Sequence, residues 1–371
     1  MSIEAMPAVL SWTGSAAVMQ RIHDRYELHA MSALWEMVER IRCWNRQLAA
    51  RLDRGVARAC QDELQRVVLA PETTSRLLRR GPYAHGGEDA EVGRFLYRSF
   101  LAEAARVGSP GQSDDVVWTA LGDGRLLPGG EFVSGPSIPA FVPLDVDSPH
   151  ISMASGSAGG QGGREGCLLL DEDERRVTFE RLTASRDLIR NASDAVGAFV
   201  ARFTKVLVLR RDDRSLYSSA SSGQHIGRCL LGQPHAPDVD EIHLAEALVH
   251  QAVHTLLRVQ ELLEPRVLGP AAHETASRVR SPWTGHPLPV RSFLRECFVR
   301  YGLLNFWCLA LGVGASDPER IRERMREALR GFVAAPLLDT ASAHAAISDA
   351  AKSAIGEMQE VVASYFDAVV A

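Results

Sequence analysis

Leu248-Val249-His250-Gln251-Ala252-Val253-His254-Thr255-Leu256-Leu257 decides how the chain is read. It lies in a run from about Asp240 to Leu263 whose apolar residues recur at Ile242, Ala245, Leu248, Val249, Ala252, Val253, Leu256 and Leu257. That three-four spacing predicts a buried helix. His250 and His254 are four apart, so both imidazoles leave the same face, one turn above the other. A helix offers two nitrogen ligands to one metal ion in this way. In the H-E-x-x-H form of the motif, the Glu is the general base of a metalloprotease. Gln251 stands there instead, and an amide cannot take a proton from a metal-bound water.

Working outward, two histidines hold a metal weakly, and a third donor is expected from elsewhere. Glu296, on a long apolar stretch from about Val290 to Leu311, can supply a carboxylate from a second helix. Ion pairing with Arg295 or Arg300 is the competing role for Glu296. His273 and His286, in the intervening loop, are alternative donors. Two His and one carboxylate, with open positions opposite, is the arrangement of non-haem Fe(II) oxygenases and needs no Glu at 251.

Upstream of this helix, residues from about Ser15 to Arg80 and from Glu88 to Val107 read as helices. From Gly108 the chain turns rich in Gly, Pro and Ser. Val116-Val117-Trp118, Phe141 to Leu144, Cys167 to Leu170, Lys205 to Arg210 and Ile226 to Leu231 read as strands. Tyr217 to Gly223 reads as a polar loop, and about Thr183 to Phe203 as one helix. The glycine-dense run Ala154 to Gly166 lacks G-K-[ST] and reads as a loop rather than a phosphate cradle. After the His-bearing helix, Leu268-Gly269-Pro270 breaks the chain, and Ser316-Asp317-Pro318-Glu319 starts a further helix. The expected class is α+β, predominantly α-helical, with a small zincin-like β-sheet beside the His-bearing helix. The expected division is a helical region 1–107 and a metal-site domain 108–371, or one continuous domain.

Composition narrows the function. The chain has 371 residues, 46% hydrophobic and 23% charged, as soluble globular chains do. A net charge of −5, without a basic patch carrying aromatics, argues against nucleic acid. There is no apolar run of membrane-spanning length and no basic segment leading into an apolar core at the start, so a cytoplasmic protein is expected. The six cysteines form no C-x-x-C, which fits a reducing compartment.

Taken in order, Ser219-Ala220-Ser221-Ser222, Leu248 to His254, Ser281-Pro282-Trp283, the proline-rich turn, Ser292-Phe293-Leu294-Arg295-Glu296-Cys297-Phe298-Val299 and a helical tail form a recognisable series. It resembles the HExxH-motif peptide-modification proteins encoded beside ribosomally made peptide natural products, most closely from about Phe203 to Trp307. The resemblance implies iron- and 2-oxoglutarate-dependent β-hydroxylation of a precursor peptide, with His250 and His254 as the ligand pair. It also implies a third histidine on the later helix, in a G-x-L-H-x-x-F-V pattern, where this chain has Arg295. On this expectation Fe(II) is held by His250, His254 and Glu296. Arg280, Arg291 or Arg295 then binds the distal carboxylate of 2-oxoglutarate, since a planar guanidinium suits bidentate pairing. The precursor peptide is expected along an edge strand at Ile226–Leu231. A non-catalytic relative that binds a peptide or a partner enzyme is the alternative. A zinc hydrolase using Glu246 or Glu274 as base is the third.

Overall fold

The computed structural model describes residues 3–13, 16–78, 86–109, 111–139, 141–153, 169–211, 217–220, 224–264, 278–315, 317–334, 336–338 and 347–370. A 3-10 turn, Ile3–Ala5, leads into α1 (Met6–Leu10), then α2 (Ala16–Trp44), α3 (Arg46–Arg58), α4 (Gln61–Val68), α5 (Pro71–Leu78) and α6 (Gly86–Arg106). Strands β1 (Val117–Trp118), β2 (Gly124–Leu126), β3 (Phe132–Ser134) and β4 (Leu144–Asp145) follow. Next come α7 (His150–Met153), α8 (Glu172–Ala192), α9 (Asp194–Phe203), β5 (Val206–Arg210), β6 (Ser218–Ala220) and β7 (Arg228–Gly232). The chain continues through α10 (Glu241–Leu263), the hairpin β8 (Arg278–Arg280) and β9 (Pro287–Pro289), α11 (Val290–Gly312), α12 (Pro318–Ala334) and α13 (Asp349–Val370). The class is α+β and mainly helical, as expected.

The chain folds as two compact units that alternate along the sequence rather than dividing at residue 107. One gathers Met1–His23, Ala184–Phe203 and Glu241–Ala371, and the other Asp24–Thr183 and Thr204–Asp240. The small sheet therefore belongs to the second unit, and the His-bearing helix α10 to the first.

In the first unit α10 is buried almost all round, and a narrow half-buried stripe is its polar face. Long range contacts fix its neighbours. Trp12 donates from Nε1 to the Gly302 carbonyl at 2.9 Å, and Asn305 Nδ2 donates to the Leu10 carbonyl at 3.2 Å, tying the N-terminal turn to α11. Trp283, in the Ser-Pro-Trp turn, lies against Gly331 of α12, where any Cβ would collide with the indole. Its Nε1 donates to the Ala328 carbonyl at 2.7 Å.

In the second unit the sheet runs β4-β5-β7-β6. β4, β5 and β7 are parallel, and β6 pairs antiparallel with β7. Val206 to Leu209 and all of β7 are buried, the continuous burial that parallel strands require. Several sequence expectations change here and along the helix that leads from this unit into the first. β7 lies between β5 and β6, so Ile226–Leu231 is no edge. Ser218–Ala220 is itself the edge strand rather than loop, because its state comes from the ladder to β7 and not from its polar side chains. The helix expected from Thr183 begins at Glu172, where Asp171 and Glu174 cap it reciprocally at 2.9 and 3.0 Å. It also breaks at Ser193, whose Oγ accepts from the Ala195 amide at 3.2 Å to start α9. Leu169 and Leu170 lie outside any strand. Cys167, Leu168 and the run Ala154–Gly166 fall outside the described residues.

A buried charge network crosses this unit. Glu72 of α5 is 1% exposed and receives Arg228 of β7, Arg76 and, at 3.4 Å, His225. Burial raises its carboxyl, but the two guanidiniums win and hold it down at about 2. Asp145 meets the opposite balance. Burial pushes it up to about 7, against hydrogen bonds from the Ser148 amide (3.0 Å) and hydroxyl (2.6 Å). Gly122, at φ +75°, is needed beside it, since a Cβ would strike the carboxylate.

Two outcomes follow. Glu72→Gln leaves Arg228 buried without its counter-charge and is expected to cost about 3–5 kcal/mol in denaturant unfolding; a loss below ~1 kcal/mol would contradict this pairing. For Asp145, the folded carboxyl keeps its proton where the unfolded one has lost it, so stability falls as pH rises from about 4 to about 7. Asp145→Asn is expected to flatten that fall in melts across the same range.

Candidate metal centre

The polar stripe of α10 consists of His243, Glu246, His250, His254, Arg258 and Glu261, each half-buried and three or four residues from the next. It shares the first unit with α11 and α12, both of which contribute side chains to it. His243 Nδ1 accepts from Arg320 at 3.1 Å, and Glu246 lies 3.5 Å from Arg324. Glu261 takes Arg291 at 2.9 Å on one oxygen and Arg295 at 2.7 Å on the other.

At the centre the structure brings His250 and His254 together. Their Nε2 atoms are 3.0 Å apart and their ring centroids 4.8 Å apart. That separation admits two meanings. Two nitrogens at about 2.1 Å from one metal, at a right angle, lie about 3.0 Å apart. A hydrogen bond between two neutral imidazoles gives the same distance. Burial lowers both rings, His250 to about 4 with help from Arg300. His254 falls to about 3, through burial first and then His250, Arg258 and Arg295. Both are therefore neutral near pH 7, and one Nε2–H donates to the other ring. His254 Nδ1 is buried without a hydrogen-bond partner among the described residues. If His254 is the donor, only a lone pair is stranded there; if His250 is the donor, an N–H is stranded.

The remaining expected residues do not gather around the pair. Among the described residues no third His, Cys, Asp or Glu ligand atom lies within 4.8 Å of both imidazoles. Glu296 instead faces Arg300 at 3.9 Å, and its other oxygen is buried without a hydrogen-bond partner among the described residues. His286 is exposed in the turn before β9. Gln251 is buried off the stripe. His273 and Glu274 lie outside the described residues. Glu246, the other candidate base, has its carboxyl raised by burial against the pull of Arg324 and Arg300.

The three arginines expected to bind 2-oxoglutarate are placed otherwise. Arg280 is exposed on the hairpin, and Arg291 and Arg295 already share Glu261. The cavity against those two has about 20 Å³, room for one water. Small-molecule sites run to about 300 Å³ or more.

After burial, two further arginines bear on the pair: Arg258, which the sequence reading passed over, and Arg300, which it placed only beside Glu296. Arg258, four after His254, is lowered to about 10 by burial and by Arg295 beside it. Arg300 bears on His250. The i, i+4 run Glu246–His250–His254–Arg258 was the available signal. A dication bound by these rings would be repelled by the same guanidiniums. With cations acting on His254 and no third donor among the described residues, those residues do not fit an Fe(II)/2-oxoglutarate centre.

No protein-family model matches the chain, and no curated protein is similar to it. Among the described residues no helix is long and apolar enough to cross a membrane.

The imidazole pair makes the first unit acid-sensitive. Both rings are depressed in the folded state, so their contribution is complete above about 6.5 and is lost as pH falls through about 4 and 3. His250→Gln with His254→Gln is expected to weaken the acid dependence of stability between those limits. An unchanged pH profile would mean the rings titrate alike in the folded and unfolded chain.

Proposed function

We propose that this chain works without a metal, as a non-catalytic binder of a ribosomally made precursor peptide in natural-product assembly. The observation that carries the reading is the charge around His254, where Arg258 and Arg295 bear on the ring and no carboxylate completes a ligand set among the described residues. The resemblance to peptide-modifying proteins supplies the class of partner. Arg295 stands where the resemblance calls for a ligand, and Gln251 replaces the Glu of the motif.

A second reading, an iron- and 2-oxoglutarate-dependent peptide hydroxylase, draws on the 3.0 Å separation of the two Nε2 atoms. It needs a donor from outside the described residues. The two readings part in one assay. A fluorescently labelled peptide, made from the small open reading frame nearest this chain's gene, is titrated with the full chain, with and without a chelator. Equal affinity in both is expected, with no succinate from 2-oxoglutarate when Fe(II) is supplied. Succinate that requires both iron and peptide would establish the hydroxylase. Binding to a neighbouring modifying enzyme but not to the peptide would replace the peptide with a protein partner.

A further inference from the structure

Among the described residues, several arginines of the first unit gather near one carboxylate where α10 meets α11. Arg258, Arg291 and Arg295 share the neighbourhood of one carboxylate, Glu261, whose two oxygens are both taken, at 2.9 Å by Arg291 and at 2.7 Å by Arg295. Arg295 and Glu261 are equally shielded, each with 22% of its side chain exposed, so their pairing is a half-buried bond and not a surface contact. It joins α11 to α10 at Glu261, about two turns beyond His254. Arg295 also acts on His254 itself and on Arg258.

A metal centre built on two helices does two things: it supplies a cation to anionic or neutral donors, and it crosslinks the helices that carry them. Here both are done by a side chain. We infer that the guanidinium of Arg295, gripped by Glu261, takes the place of the metal, tying α10 to α11 beside the imidazole pair and keeping divalent ions out. The inference rests on the metal-free reading above. It adds that the imidazole pair is itself competent, and that one positive charge is what closes it. The Nε2 separation already matches two ligands on one ion. A divalent ion there would meet the half-buried guanidinium of Arg295, whose charge is less screened than one at the surface.

Cobalt(II) is the probe, because its visible absorption reports coordination by imidazole. It is titrated into the full chain and into Arg295→Lys, Arg295→Gln and Arg295→His, each checked for helical content by circular dichroism. The wild type and Arg295→Lys, which keep the charge, are expected to give only the free-ion spectrum. Arg295→Gln and Arg295→His are expected to bind cobalt at least about tenfold more tightly. Adding His254→Ala to either is expected to abolish the gain. Glu261→Gln, which strands two arginines, is expected to lower the melting temperature equally with and without chelator. If Arg295→His fails to fold, Arg295→Gln carries the comparison. Folded Arg295→Gln and Arg295→His with no cobalt spectrum would overturn the inference and leave the metal-free reading standing. Cobalt bound by the wild type would overturn both.

Discussion

Charge must be balanced wherever α10 meets α11 and α12, and the rest of the first unit is arranged around that need. Apolar contacts bury three sides of α10 but do not by themselves choose which turn of α11 lies against which turn of α10. The polar stripe does. Glu261 takes Arg291 and Arg295, Glu246 takes Arg324, and His243 takes Arg320. Each pairing costs desolvation that its Coulomb attraction only roughly offsets, so their contribution to net stability is small. Their effect is on register, because a slip by one turn would separate these pairs and leave their charges without the partners they have here. The imidazoles fit the same scheme by being neutral.

The second unit meets the same problem with a different balance. Glu72 is surrounded by Arg228, Arg76 and His225 and stays ionised in a place that desolvates it strongly. Asp145 has hydrogen bonds from Ser148 but only a more distant pull from Arg228, and it holds its proton to about 7. Two carboxylates in one core thus sit in opposite states at pH 6. The difference is whether a guanidinium touches the group or only faces it, since charge-assisted contact is worth far more than proximity.

How much of this was legible depends on what each feature needs. The ends of α10 and α11, and the start of α12 at Pro318, follow from apolar periodicity and from Pro in the first turn, both local, and all three agree with the sequence to within a residue or two. β5 and the core of β7 were legible as short apolar runs. The role of Ser218–Ala220 was not, because a three-residue polar strand exists only through its partner. Nor was the position of β7 in the sheet, since side-chain pattern says which face is buried and nothing about which backbone edge is paired. The start of α8 at Glu172 was written in Asp171-Glu172-Asp173-Glu174, a capping signature hidden by its proximity to the glycine-dense run. The alternation of the two units along the chain was invisible for a general reason: no local signal marks where a chain returns to an earlier unit.

The candidate centre shows the limit of a motif most clearly. H-x-x-x-H fixes one fact, that two rings share a face of one helix, and the structure bears that out at 3.0 Å. It carries no information about the field those rings sit in, which is set by α11 and by the next turn of α10. Glu296 and Arg295 are adjacent in sequence and 100° apart on a helix, so only one of them can look toward a given neighbour. Arg295 reaches Glu261 and bears on His254, and Glu296 turns to Arg300. Choosing Glu296 from sequence meant choosing the residue with metal-ligand chemistry over the residue with the right bearing. The same spacing of histidines is thus compatible with a metal centre or with a neutral hydrogen-bonded pair. What separates them is the sign of the charge that the second helix brings to the first.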